Sequence, residues 1–280
     1  MSGRYECKLS PELMKKAVAE LNEPEDNDKR LAAIDKLRTR FEEEDNGLEL
    51  IRSDDDFLLR FLRVKKFDED RAMETLVNYH KQRNEWKELF DYVDDPTPFK
   101  DLISAGPLLP LRNGRAKDGT FVMIVRPGYG FQSKDDMLKF IAILILSLDK
   151  LLEQEEFQIH GMTVIEDMTH FGLTMALQMA SVGKRMLHIV QEAMPIRVKS
   201  LNMVNEGLVF DTIYAVISAF MKEKMKERLM LHGSNFKTLH DKIDPAYLPF
   251  FLGGTGPDLN TDWWTNEILS SCGTGEDTAL

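Results

Sequence analysis

Cysteine is almost missing from this sequence: two thiols, Cys7 and Cys272, stand near opposite ends of 280 residues. That spacing suggests no framework of disulfides, and neither thiol pairs with histidine at metal-ligand spacing. Long apolar runs are missing as well. The longest, Phe140-Ile-Ala-Ile-Leu-Ile-Leu-Ser-Leu148, is far shorter than the roughly 20 residues of a bilayer-spanning helix, so it reads as a buried helix segment. Met1-Ser-Gly-Arg-Tyr-Glu-Cys-Lys8 holds no apolar h-region, which predicts a cytoplasmic chain without a secretory signal. Excess positive charge is lacking too. A net charge of −11 argues against general nucleic-acid binding, because phosphate neutralisation needs a basic footprint.

Catalytic signatures are equally scarce. None of the six histidines forms His-Glu-x-x-His, and there is no Gly-x-Ser-x-Gly elbow and no Walker loop. Gly128-Tyr129-Gly130 follows a strand but lacks the third glycine of a nucleotide loop, and it reads as a turn. Nothing places a nucleophile beside a base. The expectation is a protein that is not an enzyme and holds no metal and no cofactor.

What is present is ordinary folding material, 43% hydrophobic and 30% charged. The first hundred residues read as helices: 13–21, 26–44, a helix from Ser53 as N-cap through Phe57–Arg63, and 67–86. Asp94-Asp95-Pro96-Thr97-Pro98 breaks the pattern and marks a boundary. Beyond it, strands at 121–125, 161–167 and 201–204 alternate with helices at 137–152, 173–192 and 208–229. Such alternation implies a mainly parallel sheet with right-handed crossovers. The fold class is α/β, an all-helical lobe at 1–95 followed by an α/β domain at 96–268 and a loose tail at 269–280.

Two features point to function. In 208–229, Phe210, Ile213, Tyr214, Ile217, Phe220 and Met221 recur at helical spacing, and Lys224 and Arg228 continue the same stripe. Two readings fit: basic stems that snorkel past the core at a helix end, or a cationic patch for an anionic partner. Residues 181–237 hold nine Lys/Arg against five Asp/Glu, a local charge of +4 on an acidic chain, and Arg197 and Lys199 share one face of an extended segment. Such a confined cluster fits phosphoinositide headgroups on a membrane better than nucleic acid. The second feature is methionine, 15 in all, including Met162, Met168, Met175, Met179, Met186, Met194 and Met203. Thioethers fill irregular cores and also adapt to ligands of uncertain shape. Among them, Glu166 alternates with Met162 and Val164 on an apolar strand face, where a carboxylate needs a partner from the protein or from a ligand.

With Phe57-Leu-Leu-Arg-Phe-Leu-Arg63, Met194-Pro-Ile-Arg-Val-Lys199, Asn205-Glu206, Phe220-Met-Lys-Glu-Lys-Met-Lys-Glu-Arg228, His232-Gly233, Leu248-Pro249 and Gly253-Gly254 in this order, the chain resembles the CRAL-TRIO lipid-carrier family. The resemblance implies a helical lobe and a lipid-binding lobe with a pocket under a gate helix, here 208–221. It implies a pocket lined by Ile141, Leu144, Leu148, Met162, Glu166, Met186, Ile189, Val190, Met194, Ile196, Phe210, Ile213, Tyr214 and Ile217. It further implies phosphoinositide contacts from Lys65, Arg197, Lys199, Lys224 and Arg228, with reversible peripheral membrane association. The ligand class implied is terpenoid-like (tocopherol, retinoid or carotenoid). The alternatives are a phospholipid (phosphatidylinositol) exchanger and a phosphoinositide-sensing adaptor without cargo. Thr278-Ala-Leu280 also matches a loose pattern for PDZ partners. Two departures stand out. Asp167-Met-Thr-His170 replaces the family's usual Asp-x-x-Gly, so a different local turn is expected, and Glu166 occupies a position that is apolar in some members and acidic in others.

Overall fold

The computed structural model describes residues 3–44, 47–131, 135–207 and 210–270. In chain order the helices are α1 (Pro11–Leu21), α2 (Asn27–Glu43), α3 (Asp55–Val64), α4 (Glu69–Glu85), α5 (Lys87–Asp94) and α6 (Lys100–Ser104). Strands β1 (Leu108–Arg115) and β2 (Phe121–Val125) follow, then α7 (Asp136–Leu152), α8 (Glu155–His160), β3 (Met162–Asp167) and α9 (Leu173–His188). After a π-helical turn at Ile189–Ala193 come β4 (Val198–Val204), α10 (Phe210–Ser218), α11 (Glu223–Lys226), β5 (Leu229–Leu231), α12 (Lys237–His240) and α13 (Thr261–Ser270). The chain forms two compact units: Met1–Lys87 with Gln154–Ile159 and His188–Arg197, and the remainder.

The first unit is a helical assembly whose ends are fixed by side-chain caps. Ser10, Asp26, Asp54 and Asp68 each accept a backbone N–H at the start of α1, α2, α3 and α4. The cap of α3 is therefore Asp54 rather than Ser53: its carboxylate takes the Phe57 N–H at 3.0 Å. Apolar residues at helical spacing, among them Ile34, Leu37, Phe41, Leu58, Phe61 and Leu76, are fully enclosed. Beside them lies an ionic core. The carboxylate of Glu23 accepts from Arg30 Nε at 2.8 Å and from Arg63 Nε and Nη2 at 2.8 Å each. Arg63 also reaches Gln158, Tyr5 and Glu155. Burial opposes the Arg63 charge, but the Glu23 hydrogen bonds outweigh it and raise its pKa.

The second unit carries a five-stranded sheet in the order β1-β2-β3-β4-β5, antiparallel between β1 and β2 and parallel thereafter. One face is closed: Val122, Ile124, Ile165 and Val204 pack with Leu239, Ile243, Leu248 and Leu252. Because alternate residues point to opposite faces, Met123, Val164, Glu166, Leu201 and Met203 belong to the other side. Strands β1 and β5 are additions to the three expected from periodicity.

Candidate functional site

The second face of the sheet is apolar but incompletely filled. Strand β4 alternates between buried Val198, Ser200, Asn202 and Val204 and half-accessible Lys199, Leu201 and Met203. Along one row of the register, Val125, Glu166, Met203 and then Leu231, accessibility rises toward the β5 edge, from 9% at Val125 to 55% at Leu231. Glu166 is the one carboxylate in this row. Its side chain is half-buried in this row. No hydrogen bond or ion pair from the described residues reaches it. Burial without a counter-charge pushes its pKa up to about 7.

Helices α9 and α10 pack together within the same unit. Gly183 in α9 leaves space for Ile217 of α10: a methyl group at Gly183 would collide with the Ile217 Cδ1. Phe210 is buried and its ring stacks on Tyr214, centroids 5.6 Å apart, while Tyr214 and Ile217 are half-buried. On their outer sides the pair expose Leu173, Leu177, Val216 and Phe220. Lys184 approaches the Phe220 ring, 5.7 Å from its centre, and Lys184, Lys222 and Lys224 are all exposed.

The single helix expected over 208–229 is not formed. Within the gate segment, Leu208 and the Ile213 side chain lie outside the described residues. Helix α10 ends at Ser218, where Phe220 and Met221 bond back three residues to Ile217 and Ser218. Lys222 is extended (ψ 148°), and its carbonyl then starts α11 by accepting from Met225 and Lys226. Sheet pairing overrides helical period here, since β5 must leave the helix to pair Leu229 with Leu201. Lys224 and Arg228 therefore do not continue the apolar stripe of α10.

The remaining expected site residues divide between the units. In the second, Ile141, Leu148 and Met162 are buried and Leu144 and Met186 half-buried. In the first, Ile189, Met194 and Ile196 are buried and Val190 half-buried. Of the basic set, Lys65 and Arg197 lie in the first unit and Lys199, Lys224 and Arg228 in the second. Arg197 is committed locally, donating to the Ile159 carbonyl and, at 2.9 Å, to the Glu20 carboxylate. Arg228 donates to the Val198 carbonyl. The turn after β3 keeps a left-handed residue despite the missing glycine: His170 adopts φ 64°. A separate hollow of about 240 Å³ opens beside β1 between Arg112, Tyr247 and Trp263, and none of the expected site residues lines it. Thr278–Leu280 lies outside the described residues.

Sequence reasoning missed Gly183 and the exposed Leu173 and Leu177. A glycine inside an otherwise helical run was the available signal, since it costs a helix about 1 kcal/mol relative to alanine and calls for a packing reason.

The CRAL/TRIO domain model matches residues 111–254, the stretch that holds nearly all of the sheet and the α9–α10 pair. The chain belongs to the CRAL/TRIO family, a family of lipid-binding proteins. It is 36% identical over 268 residues to the Homo sapiens alpha-tocopherol transfer protein-like, covering 95% of this chain and 77% of that one. Clavesin-1 of Rattus norvegicus is 30% identical, with 93% of this chain and 73% of that one covered. The crystal structure of Sfh5 superposes with a TM-score of 0.55 over 92% of each chain at 18% identity, a likeness of fold. Among the described residues no helix is long and apolar enough to cross a membrane.

Proposed function

We propose that this family member is a non-enzymatic carrier that encloses one terpenoid-like hydrophobe and exchanges it at phosphoinositide-containing membranes. The observation that carries the reading is the half-filled apolar sheet face with a lone, partnerless Glu166. A folded core closes its apolar surface; one left accessible beside well-packed layers is a place for something else. Glu166 gives that place one polar contact, suited to a ligand that is apolar except at one end. Helix α10 acts as the cover, and the exposed Leu173 and Leu177 of α9, with Val216 of α10 and Phe220 just beyond it, form a membrane-facing side among lysines. Lys65, Lys199, Lys224 and Arg228 supply headgroup contacts, and Arg197 joins them by exchanging Glu20 for a phosphate.

Native mass spectrometry with organic extraction of the purified protein tests this directly. The expected result is one neutral isoprenoid-type molecule per chain. A co-purified phospholipid would instead identify an exchanger. A chain that stays empty after incubation with tocopherol, retinoid and carotenoid would identify an adaptor and overturn the carrier reading.

A further inference from the structure

The end of α3 is built against the usual preference. Lys66 N–H bonds to the Arg63 carbonyl at 3.1 Å and Phe67 N–H to the Leu62 carbonyl at 2.8 Å, a Schellman termination whose C′ residue is normally glycine. Here that residue is Lys66, at φ 59°, and Phe67 follows at φ 58°. Side chains rarely occupy this region, bulky ones least of all. Elsewhere the chain meets the same demand with asparagine or glycine, as at Asn22, Asn205, Gly106 and Gly253, and with His170 after β3. The turn is further pinned by Asn22, whose Nδ2 donates to the Lys66 carbonyl at 3.3 Å.

Every neighbouring charge in this stretch is engaged. Arg63 is held by Glu23, and Lys65 has a partner. Asp68 caps α4 through the Arg71 N–H, Glu69 pairs with Lys36 at 2.5 Å and Asp70 with Arg40 at 2.6 Å. Lys66 alone is different. Its side chain is exposed, and among the described residues its ammonium makes no hydrogen bond or ion pair. A strained backbone that its neighbours hold in place at a surface turn, carrying an ammonium the described residues leave unpaired, is the pattern of a functional position.

We infer that Lys66 is a headgroup-reading residue, fixed by the left-handed turn to meet a phosphate monoester of a membrane lipid. This rests on the phosphoinositide part of the proposed function and adds a residue to it. Binding is measured to phosphatidylcholine vesicles doped with phosphatidylinositol bisphosphate, against phosphatidylserine vesicles of equal charge. Lys66→Gly should raise the unfolding midpoint, because glycine relieves the strain, yet bind the bisphosphate vesicles about fivefold more weakly. Lys66→Gln should bind as weakly without the gain in midpoint, and Lys66→Arg should bind like the parent. Soluble inositol trisphosphate should compete; failure to compete would mean that Lys66 senses only surface charge and would overturn the inference. If Lys66→Gly binds like the parent while Lys224→Ala with Arg228→Ala loses binding, Lys66 is wrong and the headgroup reading stands. If the parent itself does not prefer bisphosphate vesicles, both fall.

Discussion

Glu23 and Glu166 are both carboxylates enclosed by protein, and the two units treat them in opposite ways. In the first unit Glu23 is clamped by two guanidiniums, each of them buried. In the second, Glu166 faces an accessible apolar row with no partner from the described residues. A buried ion cluster of the first kind ties three helices and their connections to one geometry, which is how a rigid lobe is made. A lone carboxyl of the second kind is costly unless something completes it. One unit completes its carboxylate with its own side chains; among the described residues the other does not.

The sharpest way to break the comparison is to unbalance the finished unit. Glu23→Ala leaves Arg30 and Arg63 facing each other without their shared anion. Removing one partner of a buried ion pair costs about 3–5 kcal/mol, and here two cations lose it together. Chemical denaturation should show that loss or outright failure to fold. A variant as stable as the parent would mean that the ionic core is peripheral to the fold.

Glu166 gives the second, intermediate effect, and its sign can be worked out. Its pKa stands at about 7 in the folded protein against an ordinary 4.5, so between those values the folded chain binds more protons than the unfolded one. Stability then falls as pH rises through that window and levels off above about 7. Glu166→Gln removes the penalty: it should be more stable than the parent above pH 7 by on the order of 1–3 kcal/mol, and indistinguishable near pH 4.5. Cargo extracted from the variant should shift in composition. A loss of stability at both pH values would show that the carboxylate is structural, as Glu23 is.

The two units also differ in how legible they were. Caps, spacing and boundaries of α1 to α4 follow local rules: the ends fall within two residues of those expected, and the α3 cap moved by one, from Ser53 to Asp54. Strands β2, β3 and β4 announced themselves as short segments alternating with helices. What failed was the stretch after Leu208, where local period favours one helix but the β4 edge claims Leu229–Leu231. No local signal carries that competition, because the deciding partner is some thirty residues upstream. Glu166 was visible as a polar residue on an apolar face. Its lack of a partner was not, since absence of a contact depends on everything that packs nearby.

The smallest expected effect on stability is at the contact between α9 and α10, and it sharpens the idea that the second unit is left open on purpose. Gly183 sits well inside α9, where alanine would favour the helix by about 1 kcal/mol. Its replacement would press a methyl group against Ile217, and because that atom is the end of a flexible side chain, α10 can shift or Ile217 can turn away. The gain in helix propensity and the loss of packing should nearly cancel, leaving Gly183→Ala within about 1 kcal/mol of the parent. Ligand exchange need not be so balanced. If α10 is a cover that opens and closes, the substitution penalises only the closed state, so the open population rises by the differential cost. A cost of about 1 kcal/mol would speed release to vesicles roughly fivefold at nearly unchanged stability. Release of a fluorescent hydrophobe, followed alongside denaturation, separates the two quantities. An unchanged release rate, with Ile217 displaced in the variant's structure, would make α10 a fixed wall and leave the open sheet face to be explained by another route of entry.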